Sequence, residues 1–228
     1  MRVIFTWAGF WRGARVAAPL MLGLAPFGFV CGLAAQGAGL SITEAGLMSG
    51  VVFAGASQLV ALAHWTHPAT ILPAVLAALT VNARLLLMGP VLTPWLRHLG
   101  GWRLAASLFV MADQNWALSV DAMERGEPDA AFLLGTGGAT WAMWIVVTVI
   151  GHAAGGMLHL PPGHPLLFAA LAVFVCLLAQ MWRGPRDAWP WIVAAFVGVG
   201  VGRIEGGGTW HIVAGALAGG LTGAFRDR

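Results

Sequence analysis

The chain has 228 residues, of which 59% are hydrophobic and only 9% charged, and its mean hydropathy is +0.80. Soluble domains carry about 25% charged residues, so the composition excludes an ordinary soluble domain and points to an integral membrane protein with little soluble mass. The net charge of +3 comes from arginine alone, without lysine; with those charges gathered in loops, the pI of 10.1 bears on orientation in a bilayer and not on nucleic-acid binding.

Long apolar blocks, without the alternation of barrel strands, leave helices as the architecture. At about 20 residues per helix there is room for roughly seven or eight spans. The expectation is an all-α, polytopic transmembrane bundle, with broken or re-entrant helices among its spans, forming a single domain over 1–228. Residues 1–15 hold Arg2, Arg12 and Arg15 beside Trp7, Phe10 and Trp11, the composition of a segment lying along the membrane surface. The first apolar block, 17–35, contains Pro19 and Pro26 and lacks an A-x-A site, so it reads as a retained span and not a signal peptide. Further blocks follow at 46–64, 70–92, 102–120, 131–155, 165–182, 188–203 and 209–225. The motif-bearing residues fall in 16–120, and 121–228 is rich in glycine.

Tryptophans mark many block ends, among them Trp65, Trp95, Trp102, Trp182, Trp189, Trp191 and Trp210, as in an interfacial belt. Eight spans with a cytoplasmic N-terminus put Arg2, Arg12, Arg15, Arg125, Arg183, Arg186, Arg226 and Arg228 inside. Arg97, Arg103 and Arg203 fall outside, and the 97–103 loop is the main departure from the positive-inside pattern. Glycines four apart, such as Gly198/Gly202 and Gly215/Gly219, permit close helix packing. In the last two spans they serve either the bundle itself or the docking of a partner subunit.

Four polar clusters interrupt the apolar blocks. Pro26-Phe27-Gly28 can kink or break the first span. Phe53-Ala54-Gly55-Ala56-Ser57-Gln58 combines small residues with two hydrogen-bonding side chains, serving substrate or a neighbouring helix. Asn82-Ala83-Arg84 places a guanidinium, which stays charged in any protein setting, within an apolar run. Asp113-Gln114-Asn115 holds the carboxylate lying deepest in any block. Asp113 can pair with Arg84, bind an ammonium or carry a proton, and Arg84 can instead snorkel past Gly89-Pro90. Cys31 and Cys176 read as inert packing, and the run from Asp121 to Asp129 as a solvated loop. The histidines form no metal motif, no cofactor is implied, and neither a nucleophile–base pair nor a Walker A loop is present, so the chain reads as no enzyme.

Taken in order, Pro26-Phe27-Gly28, Phe53 to Gln58, Val81-Asn82-Ala83-Arg84 and Ala112-Asp113 resemble the AzlC family, the large subunit of bacterial branched-chain amino acid exporters. The resemblance spans about residues 16–120 and implies a small hydrophobic membrane partner of the AzlD type and a place in the bacterial inner membrane. Leu85 stands where the family often has His, and Gln114 where it often has Glu; each departure removes a titratable group. The implied function is secondary export of valine, leucine and isoleucine, with methionine a further candidate, driven by the proton motive force. Alternatives are transport of another small organic anion or zwitterion, and a structural membrane subunit. The residues expected at a substrate or coupling site are Pro26, Phe27, Gly28, Phe53, Gly55, Ser57, Gln58, Asn82, Arg84, Asp113 and Gln114. A carboxylate would meet Arg84, and an ammonium Asp113 or Gln58.

Overall fold

The structure is a computed structural model that describes residues 3–63, 65, 75, 79, 82, 85–157, 175, 179, 182, 184–185, 188–205 and 210–226. Among them the regular structure is helical, apart from one parallel bridge between Ile4 and Asp129. The chain divides into two compact units, Met1–Leu171 and Ala172–Arg228.

In the first unit, α1 (Trp7–Gly37) and α8 (Ala131–Met157) are long and apolar enough to cross a membrane. At 31 and 27 residues they reach about 46 and 40 Å. They run side by side in the same direction. A Cβ on Gly13 would collide with the Phe132 carbonyl, one on Gly32 with that of Thr148, and one on Gly151 with that of Phe29. Only glycine allows backbones this close, and the apolar side chains around them fill the rest of the seam. The proline-bearing stretch does not break α1: the helix is continuous through Pro19 and Pro26, and residues 7–15 belong to it.

The end where α1 begins is termed the lower end, and that where it finishes the upper end. A turn through Gly39, at φ 80°, leads at the upper end into α2 (Ile42–Val52). This helix starts with a reciprocal cap: Ser41 Oγ accepts from the Glu44 N–H, and the Glu44 carboxylate from the Ser41 N–H. It descends antiparallel to α8, with Gly46 beside Val149 and Gly50 beside Ile145. At Phe53 the chain reverses, and α3 (Gly55–Ala63) climbs back. Leu62 is buried with Ala35, Leu40 and Ala45, and Trp65 packs against them. The block 46–64, expected to be a span, is therefore a re-entrant hairpin. A hydrogen bond from Gln58 to Ser49 requires that reversal, because nine residues of straight helix would separate the two by about 13 Å.

By Leu85 the chain is heading for the lower end. There α4 (Leu85–Met88), a 3-10 turn at Gly89–Leu92 and α5 (Thr93–Leu96) follow in succession. Gly89-Pro90 does end the α-helical winding. Leu92 and Trp95 are buried with Ala130, Phe132 and Leu133. Next, α6 (Gly101–Phe109) rises from beside Phe5, whose ring meets Trp102 edge-on with Arg103 over it. After a break at Val110–Ala112, α7 (Asp113–Glu124) descends again. The block 102–120 is thus a second hairpin, entering from the opposite end. This corrects its reading as a span and removes the main charge anomaly, since Arg97 and Arg103 lie at the same end as Arg12 and Arg125.

The second unit pairs α9 (Ala188–Glu205) with α10 (Trp210–Arg226), antiparallel. Gly202 faces His211, Gly215 meets Ala194 and Gly198, and Gly219 meets Pro190 and Ala194. These glycines serve the contact between the two helices.

Candidate functional site

Both hairpin tips reach the same stretch of α8, from Gly137 to Trp144, about 10 Å of helix near its middle. Trp141 touches both hairpins. Its Nε1–H donates to the Gly50 carbonyl at 2.8 Å, and its ring lies edge-on to Phe109 at 6.2 Å.

The first tip gathers most of the residues singled out in the sequence. Gln58 is 2% exposed. Its Nε2–H donates to Ser49 Oγ at 2.8 Å, and its Oε1 accepts from Trp144 Nε1–H at 2.9 Å. This amide closes the hairpin on itself and fastens it to α8. Ser57, fully buried, donates to Asn82 Oδ1 at 3.4 Å, which joins the Phe53–Gln58 cluster to Asn82. Gly55 sits against aromatic rings: a Cβ there would lie 2.6 Å from Phe27 and 2.8 Å from Trp144. Those rings meet edge-on at 5.4 Å. Gly28 lies beneath Trp144, and the Cys31 thiol beneath the Gly55 carbonyl at 4.0 Å. Phe53 turns the chain in the left-handed region, φ 42° and ψ 43°, the one non-glycine residue at positive φ among the described residues. For a bulky side chain this conformation carries about 1–3 kcal/mol of strain.

The second tip is built differently. Asn115, 1% exposed, accepts from the Ala112 N–H at 2.6 Å and donates to the Val110 carbonyl. The break between α6 and α7 is thereby satisfied within its own loop. Asp113 and Gln114 open α7 at this tip, Asp113 in its first turn. The tip is seated on Gly137, where a Cβ would collide with Asn115 and Val110.

Pro26 lies one helix position below Phe27 of the first tip, inside an unbroken α1. Arg84, and with it the proposed pairing to Asp113, lies outside the described residues. Trp144 and Asn115 carry the two tips and were not among the expected site residues. Trp144 had a sequence signal: it stands mid-block, away from any interface, and an indole N–H buried there needs an acceptor.

The lower end holds a further correction. Asp129 was expected in a solvated loop but is 1% exposed. It accepts from the Thr6 N–H at 3.1 Å, from the Thr6 hydroxyl, and from the Ala131 N–H at 3.1 Å. Thr6 caps α1 through Gly9. One carboxylate therefore joins the N-termini of the parallel helices, where the macrodipoles favour an anion. Arg12 pairs with Glu127 at 2.9 Å beside it, and Gly9 leaves the room that Asp129 occupies.

A family model described as AzlC protein matches residues 19–158, more than half of the chain. The chain belongs to the AzlC family. The matched region takes in α1 from Pro19 onward, both hairpins and all of α8, so the AzlC match covers both hairpin tips and the stretch of α8 that they meet. Among curated relatives, the inner membrane protein YgaZ of Escherichia coli (strain K12) is 28% identical, over 94% of this chain and 89% of that one. An uncharacterized membrane protein of Archaeoglobus fulgidus is 28% identical over 78% of each chain. One of Helicobacter pylori (strain 26695) is 24% identical over 78% of this chain and 79% of that one. No solved structure matches. With these relatives and this composition, the AzlC chain is a membrane protein.

Proposed function

We propose that this chain is the large subunit of a secondary transporter that exports branched-chain amino acids across the bacterial inner membrane, together with a small AzlD-type subunit. Family membership supplies the substrate expectation. The observation that carries the transport reading is the pair of hairpins entering from opposite ends and meeting mid-way along α8. Interrupted helices at membrane depth are tolerated where they line a buried site, and they expose backbone and polar side chains there. Valine, leucine or isoleucine, with methionine a further candidate, would set its side chain against the rings of Phe27 and Trp144. Its charged ends would meet the polar groups of the tips, with Arg84 for the carboxylate and Asp113 for the ammonium. The lower end is taken as cytoplasmic, because Arg12, Arg97, Arg103 and Arg125 gather there. The proton motive force is the proposed drive.

The test is counterflow of labelled valine in vesicles holding this chain with and without the small partner. Labelled valine should accumulate against an unlabelled load, and an imposed pH gradient or membrane potential should drive net export. Flux in neither preparation would overturn the reading. Competition by small organic anions but not by leucine or isoleucine would move the substrate class instead. Arg84→Lys should keep protein abundance and lower flux, because lysine lacks the bidentate geometry that fits a carboxylate.

A further inference from the structure

The two hairpins are held by different kinds of contact, and the difference assigns them different parts in the transport reading on which this inference rests. The second hairpin is closed by Asn115 onto its own backbone and interlocked with α8 at Gly137. Moving it means prising apart backbone and side chain already in contact. The first hairpin lies on α8 through Gly46 and Gly50, whose Cβ positions stand an ordinary 3.5 Å from Val149 and Ile145. That seam is looser than the seat at Gly137, and where the hairpin is tightly seated, at Gly55, it meets only side chains, the rings of Phe27 and Trp144. Hydrogen bonds hold its tip region: Gln58 to Trp144, Gln58 to Ser49, Trp141 to the Gly50 carbonyl, and Ser57 to Asn82. Its base is anchored at the upper end, where His152 Nε2 meets the Leu40 carbonyl at 2.7 Å beside the left-handed turn at Gly39. Its tip is the strained Phe53.

We propose that hairpin α2–α3 is the moving gate on the upper side of the site, and that Gln58 and Trp144 form its latch. Gln58 is then a positioning residue. When its amide lets go of the Trp144 indole, the tip swings on the Leu40–Ser41 base and uncovers the face of α1 that it now shields. The second hairpin is the static wall against which the gate closes.

Cys31 reports on the gate directly. It is 1% exposed and lies under the Gly55 carbonyl, so a water-soluble reagent reaches it only when the tip lifts. With Cys176→Ser as background, full-length protein in vesicles is labelled with a membrane-impermeant methanethiosulfonate. Gln58→Leu and Trp144→Phe each remove one partner of a buried hydrogen bond and should raise the Cys31 labelling rate about five- to tenfold. Ser49→Ala, a milder change that keeps the Trp144 contact, should raise it less. In a second measurement, Gly46→Cys with Val149→Cys, in a background lacking Cys31 and Cys176, pins the gate to α8. Oxidation should stop valine flux and reduction restore it. Labelling unchanged in all three variants, or undiminished flux through the oxidised pair, would overturn the latch. Faster labelling in Gln58→Leu without flux in any preparation would sink the transport reading and leave the latch standing.

Discussion

The two hairpins of the first unit have similar sequence lengths and reach the same part of α8, yet they are secured in opposite ways. The tip at Val110–Ala112 satisfies its loose backbone internally through Asn115 and sits on a glycine that admits no side chain. The tip at Phe53 leaves its turn strained and leans on hydrogen bonds to tryptophans of another helix. An apolar environment makes both solutions workable, since an unmade hydrogen bond there has no water to replace it. At Phe53 two tryptophan indoles of α8 supply those bonds, to Gln58 and to the Gly50 carbonyl, whereas at Val110–Ala112 the loop's own Asn115 supplies them.

The sharpest way to break this comparison is to add one carbon at each seat. Gly137→Ala drives a Cβ into Asn115 and Val110, and a backbone carbonyl cannot rotate away. We expect a loss of about 2–4 kcal/mol, in the range of severe core substitutions. Gly50→Ala places its Cβ 3.5 Å from Ile145 and should stay within about 0.5 kcal/mol of the parent. Thermal unfolding in detergent, followed by size-exclusion chromatography, reads both. Equal losses at the two sites would end the distinction between the tight seat at Gly137 and the looser α2–α8 seam at Gly50.

A smaller difference is expected one layer up. Asn115→Ala strands the Ala112 N–H and the Val110 carbonyl, each a buried group worth about 1–3 kcal/mol when unsatisfied. Gln58→Leu strands the Trp144 indole and the Ser49 hydroxyl, but the released tip can relax away from α8. Stability should therefore fall further for Asn115→Ala, while the Cys31 labelling rate should rise further for Gln58→Leu. The reverse ranking on both readouts would exchange the roles of the hairpins.

The clasp below them is shared by both and gives a reference. Asp129→Asn keeps the shape of the side chain but loses the charge at two helix N-termini. An effect of about 1–2 kcal/mol on unfolding follows from the caps involved. It should leave the ratio of labelling rates between wild type and Gln58→Leu unchanged, because Asp129 touches neither tip.

These contrasts explain what the sequence discloses and what it hides. Gly28, Gly55, Ser57, Gln58 and Asn82 stood out because small or polar residues inside apolar blocks are conspicuous, and they do meet at one tip. The hairpins were hidden because an apolar block of about 19 residues has the same hydropathy whether it crosses or turns back. The reversal rests on Phe53 in a conformation that a phenylalanine rarely adopts, which no propensity scale anticipates. Asp129 looked like one more charge in a polar loop, since its partner Thr6 lies 123 residues away. The misplaced charge of the 97–103 loop was the available sign that a crossing had been counted where there is a hairpin.

The smallest expected effect concerns Phe53 itself. Glycine populates positive φ freely, so Phe53→Gly removes the strain of the turn, against which stands the greater freedom of glycine in the unfolded chain. The side chain is only partly buried, so little packing is lost with it. The two terms nearly offset, and the net change in stability should be a gain of no more than about 1 kcal/mol. Gate behaviour separates this result from a neutral surface change. With the strain relieved in the shut position, Cys31 should be labelled more slowly than in the parent, the opposite direction to Gln58→Leu. A clear loss of stability together with faster labelling would show that the phenyl ring holds the tip down, and the strained turn would then be a consequence of that packing and not a spring beneath the gate.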